Sequence, residues 1–533
     1  MEKIEEIQQF IENHVSMIKP ALKKVRLAYW NAAISGKQKD YEDYEQLQKE
    51  IERVYNNKEN FEKVKNFLNS EIKNQLIRRQ VKLLYLSYLS SQGDIKLIEK
   101  IVSLSTLLEQ KFNTFRAEMN EKKFTDNEIK KILREETDPK KLQEAWESSK
   151  KQGEIVEKEL IELVKLRNML AREIGFNNYY ELSLEASEQT TEGIRNIFNE
   201  MANLTDFQFT KLKQEIDEHL SKKHLISKEA LKPWHYQDLF FQEGPNISKI
   251  NLDNYYNKNI LDISKRFFSS INLPVEDILE RSDLYEKEGK YQHACCTDID
   301  REGDVRIIEN IKNNEKWMET TLHELGHAVY SKFTSQQLPF LLRTDAHTLV
   351  TEAIALLFGR QSKNLSFIKN YAETKEISPS LSDEINNSLR LRQLVFCRWS
   401  QVMFHFEKAL YENPEQDLNS LWWQLAKKYQ RINFTRDKPD WASKIHFVSS
   451  PVYYHNYLLG ELLASQIHNH IVKNILQTNS SKNADYSNNK DIGKFLKENI
   501  FSIGKEYGWE ELIELSTGKP LDTSYYIEEF VNS

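Results

Sequence analysis

Residues 317–330 read WMETTLHELGHAVY, and the spacing inside this stretch decides what the surrounding chain must build. His323 and His327 are four apart, so on a helix their imidazoles leave from one face and can grip a single cation. Glu324, one residue on, reaches a water beside that cation without having to ligate it. Gly326 leaves room for another element to approach. The bland alternative is a surface helix with two incidental histidines. Trp317, Met318, Leu322, Leu325, Ala328 and Val329 argue against it, because they make the helix apolar on several sides and therefore buried. Buried imidazoles and carboxylates need a partner, and a metal ion supplies one.

A catalytic zinc takes three protein ligands and keeps a fourth position open. Downstream, LVTEAIALLFG (349–359) sets one carboxylate, Glu352, in a strongly apolar helical run. An ionised carboxylate buried without counter-charge costs several kcal/mol, which a cation would remove. The other reading places Glu352 on that helix's wet face, and His347 and Asp345 are rival ligands. Glu352 is preferred.

Around this centre the chain reads as mainly helical. Ile101, Leu104, Leu108, Phe112 and Phe115 form one face of a long helix. Thr125 with Glu128 predicts a capping box, flanked by Phe124 and Ile129 as a hydrophobic staple. Asp138–Pro139 predicts an N-cap with proline in the first turn, and Gly175 a helix stop. The best strand candidate is 304–308, and the polar run 477–491 predicts a surface loop. With 15 glycines and 11 prolines in 533 residues, few tight hairpins are expected. A net charge of −7 argues against nucleic acid as a partner, since phosphate contacts need a basic face. Three cysteines (Cys295, Cys296, Cys397) are too few for a disulfide framework. The charged N-terminus lacks a signal-peptide core, and no apolar run approaches the ~20 residues that span a bilayer. A cytoplasmic monomer without membrane contact is expected.

The sequence resembles the gluzincin zinc peptidases, and among them the angiotensin-converting-enzyme (peptidyl-dipeptidase) family, with thimet oligopeptidase and oligoendopeptidase relatives further off. The resemblance runs over about 100–470 and rests on ETDPKKLQEAWESSKKQG (136–153), QHACCTDIDREGDVRI (292–307), LPFLLRTDAHTLVTEAIALLFG (338–359) and WASKIHFVSSPVYYHNYLLGELLASQ (441–466). It implies a helix-rich, two-lobed ellipsoid with a deep central channel and a very small sheet beside the zinc helix. It also implies an N-terminal helical lid over 1–115 and a catalytic body of two interleaved lobes over 116–533. The strand at 304–308 would then pair with the substrate backbone. By the same resemblance His293 and Ala294 contact that backbone, Lys444 holds a C-terminal carboxylate, and His446 and Tyr457 stabilise the oxyanion. Tyr453 and Tyr454 compete for the neighbouring substrate-binding role, and Tyr454 is preferred. Two departures stand out: His455 and Asn456 replace the family's chloride-binding arginine, and Leu356 replaces an aspartate that orients a zinc histidine, so that imidazole lacks an evident partner.

The function implied is hydrolysis of short peptides by a metal-activated water, with one zinc ion on His323, His327 and Glu352, and Glu324 as general base. Removal of C-terminal dipeptides is favoured. An endo-acting oligopeptidase shares the same chemistry. A non-catalytic, zinc-binding helical peptide-binding protein is the third reading, although a structural site needs no base.

Overall fold

A computed structural model describes residues 2–247, 250–372 and 380–532. Helices dominate it, and among the described residues the strands form two antiparallel pairs.

Five helices open the chain: Glu2–Ser35, Gln38–Tyr55, Lys58–Leu68, Gln75–Ser90 and Ile95–Thr114. Side chains of Asn57, Asn74 and Asp94 each accept a backbone N–H of the following first turn, which fixes where three of these helices start. Ile7, Ile11 and Ile18 of the first helix share an apolar cluster with Val64, Val81 and Tyr88, and this cluster closes over Phe340 and Leu341 from the rest of the chain. The far end of the first helix docks as well. Gly36 (φ +65°) approaches so near that a Cβ there would lie 2.1 Å from the Gly289 carbonyl oxygen. Tyr291 N–H donates to Ala33 O at 2.8 Å. The N-terminal layer is thereby tied to the segment that precedes His293.

Local signals translate directly. The Ile95–Thr114 helix buries Leu108 and Phe112, with Ile101, Leu104 and Phe115 partly covered. Thr125 and Glu128 form the capping box, and Ile129 is buried beneath it. Asp138 caps Pro139–Glu173, and Gly175 follows at φ +96°.

One expectation changes. The strand spans Val305–Ile308 and pairs with Cys295–Asp298, Cys295 facing Ile308. Its other edge is taken by Asp283, which exchanges backbone hydrogen bonds with Ile307 and Glu309. Both edges being occupied, 304–308 cannot pair with a substrate backbone. The Cys295–Asp298 strand lines the central cavity instead. The polar run 477–491 is a loop anchored from within: Tyr486 is buried with its hydroxyl 2.6 Å from His468 Nδ1, and Asn483 accepts Leu365 N–H. A hairpin absent from the sequence reading joins Ala117–Met119 to Lys122–Phe124 through Asn120 and Glu121, both at positive φ.

One continuous apolar core runs from Leu108 to Val531. Against it lies a cavity of about 2230 Å³ whose walls draw on the N-terminal helices, residues within 237–247 and 250–253, the Cys295–Asp298 strand and three helices described next.

Candidate metal centre

Asn314 caps the helix Glu315–Phe333 by accepting Trp317 N–H. Met318, Leu322, Leu325, Ala328 and Val329 bury it on the core, which turns His323, Glu324 and His327 to the cavity. His323 Nε2 and His327 Nε2 are 3.2 Å apart. The helix Thr348–Gly359 crosses at Gly326, where a Cβ would meet the Ala355 backbone at 2.7 Å. That crossing delivers Glu352, whose Oε2 lies 3.6 Å from His323 Nε2 and 3.8 Å from His327 Nε2. Among the described residues these three form the one group of ligand-type side chains with all donor atoms within 4.8 Å.

The donor chemistry fits a metal ion. Glu352 is 1% exposed, yet its Oε2 has no hydrogen-bond partner. Its Oε1 accepts the Tyr453 hydroxyl at 2.5 Å. Burial pushes the Glu352 carboxyl up to about 8, a measure of how poorly the protein alone solvates its charge. Burial also holds His327 down to about 4 and His323 well below its ordinary range, so both imidazoles stay neutral, as ligands must be. His327 Nδ1 sits 2.7 Å from Thr351 Oγ1. The tautomer that donates Nδ1–H there leaves the Nε2 lone pair facing Glu352. The rival ligands have other work. His347 Nδ1 accepts Leu349 N–H at the helix start, its Nε2 lies 2.8 Å from Ser187 O, and Asp345 accepts the Thr344 hydroxyl.

Beside the triad, Glu324 is buried, and burial followed by the charge of Glu309 pushes its carboxyl well above the usual range. Glu309 is wholly buried; it accepts Thr321 Oγ1–H on Oε2 and leaves Oε1 without a partner. On the other side of Glu352, the helix His455–His470 approaches so closely that a Cβ on Gly460 would lie 2.9 Å from Glu352 Cβ. Tyr457 on this helix and Tyr453 just before it both line the cavity, their rings 5.4 Å apart. His446 lines it too, with ring centroids 6.0 Å from Tyr457 and a buried Nδ1 without partner.

His293 and Ala294 stand on the cavity wall, His293 Nε2 3.9 Å from Asp126. Lys444 and Tyr454 do not reach it. Lys444 lies behind the wall, donating to Oε1 of the wall residue Gln242 at 2.7 Å, and burial lowers its ammonium to about 7. Tyr454 is buried, accepts Trp399 Nε1–H and supports the His446 ring. Thr351, Gln242 and Glu309 went unseen in the sequence, because each acts through a contact between distant elements. For Thr351 the one local hint is its place beside Glu352.

The family model for angiotensin-converting enzyme matches residues 1–530. The chain is similar to an angiotensin-converting enzyme-related protein of Drosophila melanogaster, 23% identical over 55% of this chain and 50% of that one. It is similar to an inactive angiotensin-converting enzyme-related protein of Caenorhabditis elegans, 21% identical over 53% of this chain and 32% of the other. A mitochondrial intermediate peptidase of Eremothecium gossypii is 21% identical over 59% and 51%. The chain thus aligns with only a third to a half of the length of these curated relatives. No described helix is long and apolar enough to cross a membrane.

Proposed function

Because the chain belongs to the angiotensin-converting enzyme family of peptidases, we propose that it hydrolyses short peptides with one zinc ion held by His323, His327 and Glu352. The observation that carries this reading is the buried, unpartnered Glu352 Oε2 turned toward two neutral imidazole nitrogens. Zinc, when bound, supplies Lewis acidity that brings the pKa of water toward ~7.

The chain's own residues do the rest. Glu324 takes a proton from the attacking water and hands it to the leaving amine. Its raised pKa suits the second task, and positive charge at the ligand set opposes the upward push and suits it to the first. Tyr457, whose phenol burial keeps protonated at neutral pH, donates to the developing oxyanion together with His446. Losing one such donor raises a barrier by about 3–4 kcal/mol. His293 and Ala294 position the peptide backbone. Gln242, fixed in the wall by Lys444 behind it, receives a terminal carboxylate on its amide nitrogen, and Tyr454 braces His446 from behind. The first 115 residues act as a lid over a body formed by 116–533, and the chain works as a cytoplasmic monomer.

Glu324→Ala should retain metal and lose turnover; a fully active variant overturns the assignment. Removal of C-terminal dipeptides is proposed over internal cleavage because Lys444 fixes Gln242 Oε1 from behind, which leaves the Gln242 amide N–H groups to face the cavity. Amidation of the peptide C-terminus should then cripple cleavage, and equal rates for acid and amide would establish the endo mode.

A further inference from the structure

The cavity wall contributed by the N-terminal helices holds a carboxylate that the chemistry above does not use. Glu109, on the helix Ile95–Thr114, lines the cavity with Tyr29, Tyr44 and Tyr291. Its carboxylate makes no hydrogen bond and no ion pair with any described residue. Burial pushes its carboxyl up to about 7, with the Arg167 charge drawing it back, so a cation arriving beside it would favour the ionised form; the donors of Arg167 are taken by Phe447 O, Val448 O, Tyr411 and Ser105. Arg26, on the same wall, is committed to Asp298 O. The Tyr29 and Tyr44 rings are 5.4 Å apart, and the charge of Glu109 acts on both, as it does on Tyr291. Burial keeps these phenols neutral, and the Tyr44 hydroxyl accepts Gln48 Nε2–H at 2.6 Å, so the wall around Glu109 is aromatic and carries no charge of its own from the tyrosines.

We propose that Glu109 and the rings of Tyr29, Tyr44 and Tyr291 form a subsite for a cationic group of the peptide substrate. A carboxylate within an aromatic wall is the arrangement that receives an ammonium or guanidinium, by ion pairing and by attraction to the ring faces. A neutral side chain would leave the carboxylate without counter-charge. The subsite is continuous with the reaction centre: Tyr291 feels the charges of both Glu109 and Glu324 and stands two residues before His293. Glu109 is therefore a binding residue, separate from the metal ligands and the base. The inference rests on the peptidase reading and names the substrate class for it, peptides bearing positive charge.

Two sources supply such a group, a peptide's α-amino terminus or an Arg or Lys side chain. Four fluorogenic octapeptides separate them, with a free or acetylated amine and with arginine or citrulline ahead of the scissile bond. In the zinc-loaded full chain, neutralising the recognised cation should raise KM about tenfold with kcat nearly unchanged. The arm that responds identifies the source. In Glu109→Gln the ratio should fall to about one, and Glu109→Asp should restore part of it. Equal KM values for all four peptides in the unmodified chain overturn the proposal, and so does a preference that survives in Glu109→Gln. Should Glu109→Gln fail to fold, the preference of the unmodified chain still decides. Binding of the same peptides to chelator-stripped protein, read by fluorescence anisotropy, separates the two layers. Cation-dependent binding without hydrolysis on zinc loading leaves the subsite standing and removes the peptidase; hydrolysis without cation preference does the reverse.

Discussion

Glu352 uses its two carboxylate oxygens differently: Oε1 is fixed by the Tyr453 hydroxyl, and Oε2 is left bare toward the histidines. Orientation of this kind is as much a property of the neighbours as of the ligand. Thr351 does the same for His327, fixing Nδ1 so that Nε2 is presented. Removing such a partner typically lowers metal affinity about 10–100-fold. Thr351→Val should show that loss in a zinc-competition titration while folding normally, with Thr351→Ser recovering most of it; unchanged affinity would mean His327 needs no orienting partner. Positions 323, 324 and 327 were legible in the sequence because one helix's periodicity aligns them. Glu352 was legible as a carboxylate out of place in an apolar run. Thr351, Tyr453 as a Glu352 partner, and Gln242 were not, since each contact joins residues that only the crossing of separate elements brings together. The missing aspartate at Leu356 was visible, but the Thr351 hydroxyl beside His327 Nδ1 was not.

Among the helices, close approach replaces side-chain bulk. The histidine helix meets the Glu352 helix at Gly326, and the Tyr457 helix meets it at Gly460. An alanine at 326 must push against the Ala355 backbone, which cannot swing aside as a side chain can. Gly326→Ala should therefore destabilise the protein by ~1–3 kcal/mol and, by parting the histidines from Glu352, weaken zinc binding as well. Calorimetric melting with and without zinc checks this; Gly508→Ala, where a Cβ meets nothing within 4 Å, is the control. A Gly326→Ala protein with unaltered melting and zinc affinity would show that the crossing tolerates separation. The Ala117–Phe124 hairpin escaped the sequence because its turn, Asn120–Glu121, lacks the glycine that usually advertises positive φ. The 304–308 strand was found within a residue, but that its second edge is taken depends on Asp283, about twenty residues upstream.

At the scale of the whole molecule, the candidate metal centre lies in a cavity of about 2230 Å³ walled partly by the N-terminal helices, which under the proposed function should favour extended peptides over folded proteins. Digestion of an octapeptide should outpace that of a folded protein of equal sequence content by orders of magnitude; equal rates would contradict an enclosed site. Terminal-carboxylate capture has a pH signature. Burial lowers Lys444 to about 7, so the free enzyme carries its ammonium below that pH and loses it above. Loss of the ammonium that fixes Gln242 should raise KM for a free-acid peptide as pH climbs through about 7, whereas that for its amide should not follow; parallel profiles would detach the Lys444–Gln242 pair from carboxylate recognition. The central claim is that one metal ion sits among three named side chains. An anomalous difference map recorded at the zinc edge, from crystals of the zinc-loaded full chain, tests it most directly. The account predicts one strong peak bounded by His323 Nε2, His327 Nε2 and Glu352 Oε2. A zinc-replete crystal with no peak at that position would contradict it.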